Sequence, residues 1–395
     1  MIKTTVRELG KVITGHTPPT SKREYYGSQY LFLKPTDMII GQKYTYVTEE
    51  GYSALGAEKY RKSLIPKGST CVVCIGTLGE KMSMAHCDLF TNQSVNSIVP
   101  GENYDQHYVY YLLKHNLHKV KALNKGTASG REFVSKTTFL DLEIDVIENF
   151  NSQKRIGEIL SAYDNLIENN QKQIKLLEEA AQRLYKEWFI DLHFPGSEYT
   201  PIVDGVPEGW TLGELGNIAI DSGKKEKKDH RGQYQYYLPI DCLPKRSLAY
   251  TDKNDITLAE SSLVAFMPND ILFGAMRPYF HKVVVARDKG LTRTTCFVIN
   301  SKTPAYWAYL LLLLFSKDTV DYASQISVGT TMPYVRWKDF THMPTLIPPE
   351  EECDAFQAIV LPIIERISCL ALSCERLIQA RDRLLSKLMS GEIEV

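Results

Sequence analysis

The sequence predicts an α+β protein in which two domains of short strands and helices are each followed by a long helix. Three observations support this fold class. A heptad pattern of apolar residues runs through the middle of the chain, the same pattern returns 200 residues later, and similar strand and turn signals precede each copy. The 395 residues suffice for two or three domains with their own cores, and the apolar content of 44% is typical of a globular protein.

The first long helix is predicted within residues 151–190. Its seam positions are separated by alternating steps of four and three residues, and all except Asn170 are apolar. They are Ile156, Leu160, Tyr163, Ile167, Asn170, Ile174, Leu177, Ala181, Leu184 and Trp188. Such steps place these side chains along one face, as in a coiled coil. At about 1.5 Å per residue the helix would be roughly 57 Å long, which indicates a spacer rather than part of a globular core.

A second long helix is predicted over residues 349–395 in the same register. Adding 200 to each seam position gives Phe356, Val360, Ile363, Ile367, Leu370, Cys374, Leu377, Arg381, Leu384 and Leu388, of which only Arg381 is not apolar. Pro349 and the three glutamates after it favour a helix start, because proline suits the first turn and acids face the positive end of the helix dipole. Pro362 is expected to kink the helix. Two helices with matching seams are expected to pack on each other.

The segments before the helices, residues 1–150 and 191–348, share one order of signals. Extended runs, turns and a short helix recur at offsets of 198 to 206 residues, beginning with Leu9-Gly10 and Leu215-Gly216. Each segment is therefore predicted to be a domain of mixed short strands and helices. Because the plan is shared while most side chains differ, the two domains are expected to read two different things at a fixed separation.

The sequence lacks the motifs typical of catalysis and cofactor binding. It has no phosphate-binding loop of the GxxxxGK[ST] type, no Asn/Asp-Pro-Pro-aromatic motif of an adenine methyltransferase, and no paired acids followed by lysine as in a nuclease. Cys71 and Cys74 lie in an apolar run without a second cysteine pair or a nearby histidine, so neither a zinc site nor another cofactor is expected. These observations favour a chain that is not an enzyme.

Two alternatives to a non-enzymatic chain that reads two different things remain at this point. One is a self-contained DNA methyltransferase or nuclease, which methylation by the purified chain alone would support. The other is a coiled-coil scaffold protein without a nucleic-acid role, which the absence of salt-sensitive DNA binding would support.

From end to end, the chain resembles the specificity subunit of a type I restriction–modification system. The most specific matches are Gln153–Ile156, Asp164–Ile167 and Asn170–Leu184, all in the first long helix. The Gly-Thr loop ahead of each helix and Asn92–Asn96 give weaker support. The second copy departs from the pattern at Cys353–Phe356, which replaces the Gln-Lys-Arg-Ile sequence.

The resemblance implies two target-recognition domains, residues 1–150 and 191–348, that each read one half of a split DNA sequence. It also implies two spacer helices, residues 151–190 and 349–395, packed as an antiparallel coiled coil with internal pseudo-twofold symmetry. The implied partners are double-stranded DNA, methyltransferase (modification) subunits and, where the system has one, the ATP-dependent restriction subunit. Catalysis would belong to these partners, and this chain would bind no cofactor.

Candidate DNA contacts are polar side chains in the predicted loops, because loops on a rigid scaffold often carry binding groups. Arg and Lys suit guanine, Asn and Gln suit adenine, and hydroxyls suit phosphate or either base. The candidates are Lys34, Thr36, Thr77, Lys81, Asn92, Gln93, Thr127 and Arg131 in the first domain, and Arg231, Tyr236, Arg277, Arg293, Thr330, Tyr334 and Arg336 in the second.

The charge balance is weak for a protein that binds DNA alone. Residues 1–150 carry 18 Lys and Arg against 15 Asp and Glu, and residues 190–348 carry 17 against 17. Displacement of counterions from phosphates requires a positive surface. The balance therefore indicates a subunit that shares the duplex with partners.

Charged residues on the exposed faces of the long helices are the candidate contacts for partner subunits. They are Lys172, Lys175, Glu178, Glu179, Arg183, Arg376 and Lys387. The N-terminus lacks the pattern of a signal peptide, and the most apolar run, residues 305–315, has 11 residues and is too short to cross a bilayer. A soluble, cytoplasmic protein without membrane contact is expected.

Overall fold

The computed structural model describes residues 1–124 and 132–395. The chain forms two compact units. The first unit comprises Met1–Leu166 and Leu377–Val395, and the second unit comprises Ile167–Arg376. The division falls inside both long helices, so each long helix supplies one part to each unit.

The first unit contains short strands, short helices and parts of both long helices. Its strands are β1 Ile2–Thr5, β2 Gly10–Thr14, β3 Tyr26–Leu33, β4 Gly51–Tyr52, β5 Thr70–Val73, β6 Met82–Met84, β7 Phe90–Thr91, β8 Val95–Pro100 and β9 Glu143–Val146. Its helices are α1 Ala54–Lys59, α2 Gln106–His115, α3 Leu117–Ala122, α4 Lys136–Leu140 and the start of α5 Phe150–Tyr185. The central antiparallel sheet has the order β2-β8-β5-β6, β1 pairs with β9, and β3 lies between β4 and β7.

The second unit has a similar composition. Its strands are β10 Ile202–Val203, β11 Val206–Pro207, β12 Thr211–Glu214, β13 Ala219–Asp221, β14 Lys224–Glu226, β15 Leu263–Phe266, β16 Ile271–Gly274, β17 Val283–Val285, β18 Gly290–Arg293, β19 Cys296–Ser301 and β20 Pro344–Ile347. Its helices are α6 Leu215–Ile218, α7 Trp307–Leu314, α8 Lys317–Gln325, α9 Trp337–Phe340 and most of α10 Glu350–Met389, with a π-helical turn, Lys186–Ile190, extending α5. The central antiparallel sheet has the order β13-β19-β16-β17, and β12 pairs with β20.

The central sheets of the two units share their strand order and their register. Thr70 of β5 pairs with Ile98 of β8 in the first unit, and Ile271 of β16 pairs with Ile299 of β19 in the second, an offset of 201 at both positions. The pairs of β5 with β6 and of β16 with β17 keep the same offset. The internal repeat therefore extends to individual residue pairs, and the predicted α+β fold class is confirmed.

One match of the repeat is corrected by the structure. The amide of Val6 donates to the carbonyl of Leu142, and the amide of Leu215 donates to the carbonyl of Met343. Leu215 therefore corresponds to Val6 and not to Leu9. Val6 and Leu9 are both fully buried, so an apolar pattern alone does not distinguish these two positions.

The two long helices pack antiparallel within each unit. In the second unit Asn170 donates to Ser373 Oγ at 3.1 Å, and in the first unit Arg381 donates to Asp164 at 2.5 Å, so numbers rise along one helix as they fall along the other. All seam positions of both helices are buried or half-buried. The predicted antiparallel coiled coil is confirmed, and α10 continues through Pro362, whose side chain is exposed.

In each unit the seam joins the domain core. Ile156 and Leu160 of α5 pack with Leu388 of α10 and with α2 in the first unit. Ala181 of α5 packs with Phe356 of α10 and with α7 in the second. Because the long helices share an apolar core with the sheet of each unit, burial of apolar surface holds the helices against that sheet.

Helix α10 also contains an 18-residue window with a mean hydropathy of 1.7. By length and composition alone it could cross a membrane, a test that core helices of globular proteins also pass. One third of the window, 33%, is buried, and Val360 and Ile367 belong to the core of the second unit. Charged and polar residues interrupt the apolar residues of α10, so no long unbroken apolar run marks this helix in the sequence.

Candidate nucleic-acid interface

Three candidates of the first unit, Lys34, Thr36 and Lys81, lie around the loop that follows β3. The Lys34 ammonium pairs with Glu49 and Glu50 at 3.0 and 3.1 Å. Burial by itself would lower the pKa of Lys34, but hydrogen bonds with the two glutamates raise it. Lys81 Nζ donates at 2.7 Å to the carbonyl of the residue before Thr36. The two lysines therefore hold the loop, and Thr36 is exposed on it.

Asn92 and Gln93 form a turn between β7 and β8. The side-chain oxygen of Asn92 accepts from the amide of Ser94 at 3.1 Å, which fixes the turn. Gln93 is exposed and accepts a 2.5 Å bond from the hydroxyl of Thr17. Gln93 thus has surface to offer a base, whereas the oxygen of Asn92 is already engaged.

Three candidates of the first unit remain, of which the structure describes Thr77. Thr77 is exposed in the loop between β5 and β6. The amide of Gly76 in this loop donates to the carbonyl of Glu132 at 3.0 Å. Thr127 and Arg131 lie outside the described residues.

In the second unit, two adjacent loops bring several candidates to one surface. The amide of Arg277 donates to the carbonyl of Pro333 at 2.7 Å and ties the loops together. Residues 276–281 and 328–336 form this surface, which is called the Arg277 surface below. The candidates that it carries are Arg277, Thr330, Tyr334 and Arg336.

Arg293 borders the Arg277 surface. The hydroxyl of Tyr334 donates to the carbonyl of Thr294 at 3.3 Å, next to Arg293 in sequence. Arg293 is exposed. The structure thus gathers five of the seven candidates of this unit in one region.

The other two candidates, Arg231 and Tyr236, are engaged inside the domain. Arg231 Nη1 donates to the carbonyls of Thr257 and Ala259 at 3.0 and 3.3 Å and so holds a turn. Tyr236 is only 4% exposed, and its hydroxyl is 2.5 Å from that of Tyr250. A buried side chain offers no surface to a base, so Tyr236 is not retained as a DNA contact. The apolar–polar pattern around it could not show this, because tyrosine suits both a core and an interface.

Sequence reasoning overlooked the partner of Lys81 in the repeat. Lys282 lies 201 residues after Lys81, and its Nζ donates to the carbonyl of Ile240 at 2.7 Å, the same length as the Lys81 bond. Burial lowers the pKa of Lys282. Both lysines hold the loop after an extended segment, and the shared offset was the signal that could have identified this role.

The candidate partner contacts on the long helices are exposed, with one exception. Lys172 pairs with Glu168 at 2.6 Å and Lys387 with Glu392 at 2.6 Å. Lys175, Glu179, Arg183 and Arg376 are exposed as well. Glu178 is the exception, because it is only 7% exposed.

Glu178 instead holds the second domain on helix α5. Its carboxylate accepts from the hydroxyl of Ser247 and from the amide of Leu248, both at 2.7 Å. Burial raises the pKa of Glu178. Glu178 is therefore not retained as a candidate contact for partner subunits, because the helical period predicts the direction of its side chain but not the loop that covers it.

A second carboxylate, Glu375, makes the matching connection from helix α10. It pairs with Lys253 at 2.7 Å and with Arg287 at 3.0 Å. Burial by itself would raise the pKa of Glu375, but the two cations lower it. Glu178 and Glu375 together attach residues 247–253 and Arg287 to both long helices.

The cysteines offer little to metal chemistry. Burial raises the pKa of the Cys71 thiol to about 12 and that of Cys74 to about 11, so both are neutral near pH 7. Across residues 1–124 and 132–395 there is no group of three or more His, Cys, Asp and Glu side chains that could hold a metal ion. The candidate functional residues of the described chain are instead polar side chains in loops that the two repeated sheets position.

Comparison with known proteins gives consistent matches. Residues 3–179 match the family described as the Type I restriction modification DNA specificity domain. The chain is 27% identical to the Type I restriction enzyme MjaIX specificity subunit of Methanocaldococcus jannaschii over 413 residues, 99% of this chain and 93% of that protein. It is 34% identical to the HindI specificity subunit of Haemophilus influenzae over 171 residues, 41% of this chain and 36% of that protein.

The fold is also similar to a solved structure. The type I restriction–modification S subunit from M. genitalium superposes with a TM-score of 0.61, covering 98% of this chain and 95% of that chain at 17% sequence identity. At this identity the match supports the shared fold.

Proposed function

We propose that the chain is a specificity subunit of a type I restriction–modification system, which recognises a split DNA target and directs partner subunits to it. The methyltransferase subunits, and the ATP-dependent restriction subunit where the system has one, carry out catalysis. This chain is not an enzyme. It selects the DNA sequence at which its partners act in the cytoplasm.

The observation that carries the proposal is the repeated sheet with divergent loops. The pairs Thr70–Ile98 and Ile271–Ile299 occupy the same place in the two central sheets, so the backbone frame is the same. The loop after β5 contains Gly76, whereas the loop after β16 contains Arg277 at the matching position. One frame with two sets of loops suits the recognition of two different half-sites, because loops can change without loss of the core.

We assign recognition of the two DNA half-sites to residues 1–150 and 191–348. The long helices of residues 151–190 and 349–395 are assigned the role of setting the distance between the half-sites. The exposed side chains Thr36, Thr77 and Gln93 are the proposed contacts to the first half-site. Arg293 and the Arg277 surface are the proposed contacts to the second. Phosphate contacts would position the domains, and contacts to base edges would specify the sequence.

Helix α5 also offers a surface for a methyltransferase subunit. Leu176 is 64% exposed and lies with Ala180 and Leu184 in a shallow groove of about 430 Å³. Glu179 and Arg183 flank this groove. An apolar stripe with charged borders along an unpartnered helix face fits an amphipathic helix of a partner.

The experiment that tests the function is base-resolution methylation sequencing of host DNA with the gene present and deleted. Loss of one split adenine-methylated motif on deletion is the expected result. An unchanged pattern of methylation, with the partner methyltransferase expressed, would contradict the proposal and favour a scaffold role.

A further inference from the structure

Arg277 occupies a turn of the repeat that requires a left-handed backbone, a conformation that glycine adopts more readily than arginine. Its φ is 50° and its ψ is 59°, in the left-handed region that disfavours side chains. The matching residue of the first unit is Gly76, at φ 97°. The amide of Gly76 donates to the carbonyl of Glu132 and that of Arg277 to the carbonyl of Pro333, with an offset of 201 at both ends. Glycine satisfies this turn without strain, so an arginine here is retained at a cost to stability.

The Arg277 side chain is partly held and partly free. Its Nη2 donates to the carbonyl of Thr331 at 3.2 Å, in an exposed position. Its Nε is buried and has no hydrogen-bond partner in the described part of the chain. No carboxylate among residues 1–124 and 132–395 forms an ion pair with Arg277. The guanidinium is therefore oriented at the surface by one carbonyl, with its charge uncompensated.

Three large, largely apolar side chains are exposed on the same two loops as this arginine. Tyr279 is 52% exposed, Val328 is 54% exposed and Met332 is 58% exposed. Exposed apolar side chains on the loops that also carry an oriented cation indicate a binding surface rather than a solvated one. Apolar groups of this kind also suit the thymine methyl group and the edges of bases in the major groove.

From these three observations we infer that Arg277 is a specificity-determining residue that reads a guanine in the second half-site through the major groove. The guanidinium donates to guanine O6 and N7, the pairing that its two terminal nitrogens fit. This inference rests on the proposed function and names one base contact within it. The strain at Arg277 is thus explained by a recognition role, because the fold would be better served by glycine.

The test compares Arg277→Gly with Arg277→Lys and with the control Arg246→Gly in the complete chain assembled with its methyltransferase. Arg246 is a matched control because it is exposed, has φ 53°, and lies next to His281 at the edge of the Arg277 surface. Both glycine variants remove one positive charge and one left-handed arginine. Methylation is measured on DNA duplexes that vary each base pair of both half-sites, after the motif has been determined by methylation sequencing.

Arg277→Gly is expected to keep or raise the melting temperature and to lose about 10- to 100-fold discrimination at one guanine of the second half-site. Replacing that guanine by 7-deazaguanine should reduce methylation by the complex with the unaltered protein. Replacing it by inosine, which changes only the minor-groove edge, should not reduce methylation. Arg277→Lys should lose discrimination partially, and Arg246→Gly should leave it unchanged.

Three outcomes would overturn the inference. These are unaltered second half-site preference in Arg277→Gly and Arg277→Lys, an equal loss in Arg246→Gly, or insensitivity to 7-deazaguanine at every guanine of that half-site. If no split motif depends on this chain, the proposed function itself fails. A motif that persists unchanged in the Arg277 variants refutes the contact alone.

Discussion

Arg381, the one charged residue in the seam of helix α10, donates a 2.5 Å hydrogen bond to Asp164 of helix α5. Both side chains are buried, at 4% and 7% exposure. Asp164 also accepts from the hydroxyl of Tyr111 on helix α2 at 2.5 Å, and Arg381 reaches Asp382 at 2.8 Å. The charge that breaks the apolar seam is therefore neutralised inside the first unit, and it connects both long helices to the domain.

Replacing Arg381 by Leu is expected to lower the free energy of unfolding of the first unit by about 3–5 kcal/mol. The reason is that Asp164 would stay buried without its counter-charge. The double replacement of Arg381 and Asp164 by Leu should recover most of the loss, because neither charge remains. Chemical denaturation of the single and double variants measures the coupling.

Lys387→Ala is the control for this series. Lys387 lies on the same helix as Arg381 and forms an exposed pair with Glu392. The effect of Lys387→Ala should stay within about 1 kcal/mol. A double variant whose loss equals the sum of the two single losses would mean that Arg381 and Asp164 do not act as a pair.

Glu375→Gln is expected to destabilise the second unit by about 1–2 kcal/mol at pH 7, since Lys253 and Arg287 lose their shared carboxylate. The lowered pKa of Glu375 stabilises the fold above the ordinary value of 4.5, and this contribution is lost as the pH falls through the folded value. The difference in melting temperature between variant and parent should therefore shrink below about pH 4.5. A difference that is constant from pH 7 to pH 3 would contradict this, and Glu179→Gln, on an exposed helix face, serves as control.

Glu178→Gln is expected to change the stability of the second unit at pH 7 in the opposite direction to Glu375→Gln. Burial raises the pKa of Glu178, so the folded state favours the protonated carboxyl, and its contribution to stability falls as the pH rises from 4.5 through the folded value. Glutamine keeps an oxygen for the Ser247 hydroxyl and the Leu248 amide and removes the buried charge. Melting temperatures near pH 7 should be equal to or higher than those of the parent. A marked loss there, accompanied by none at pH 4, would refute the assignment.

A heptad inserted into the helix of residues 151–189 is predicted to change the spacer of the DNA target and to leave both half-sites intact. Because Asn170 bonds Ser373 across the seam, the insertion is best matched by a heptad in α10. Seven residues add about 10 Å to a helix, or roughly three base pairs at 3.4 Å each. Methylation sequencing of the paired insertion reads the spacer directly, and altered half-sites would refute the ruler mechanism.

Leu176→Glu is expected to prevent assembly with the methyltransferase subunit, because it puts a charge into the proposed docking groove on helix α5. The side chain is exposed, so the fold should be retained. Co-purification and size-exclusion chromatography measure assembly, and Leu212→Glu is the control, because Leu212 is 73% exposed on strand β12 and does not line the groove. Full assembly of the Leu176 variant would place the docking surface elsewhere.

The periodic parts of the structure were accessible from sequence because each depends on short-range geometry. The seam from Ile156 to Trp188 and its copy 200 residues later predicted both long helices and their contact. The repeated turn signals predicted two related domains, and the structure adds that β5 and β16 hold the same register. Arg277, Arg293 and Tyr334 are well separated in the sequence, and their proximity arises from contacts that no local pattern encodes.

Heptad spacing and turn chemistry act between near neighbours, so the amino-acid pattern alone specifies the two long helices, their shared register and the duplicated order of domains. Which polar side chains remain available to a ligand depends on contacts that form only in the folded chain. The fold buries Tyr236 against Tyr250, covers Glu178 with the Ser247 loop and pairs Arg381 with Asp164. Each of these outcomes depends on a partner distant in sequence, and burial of a polar group is decided by whether such a partner can satisfy it.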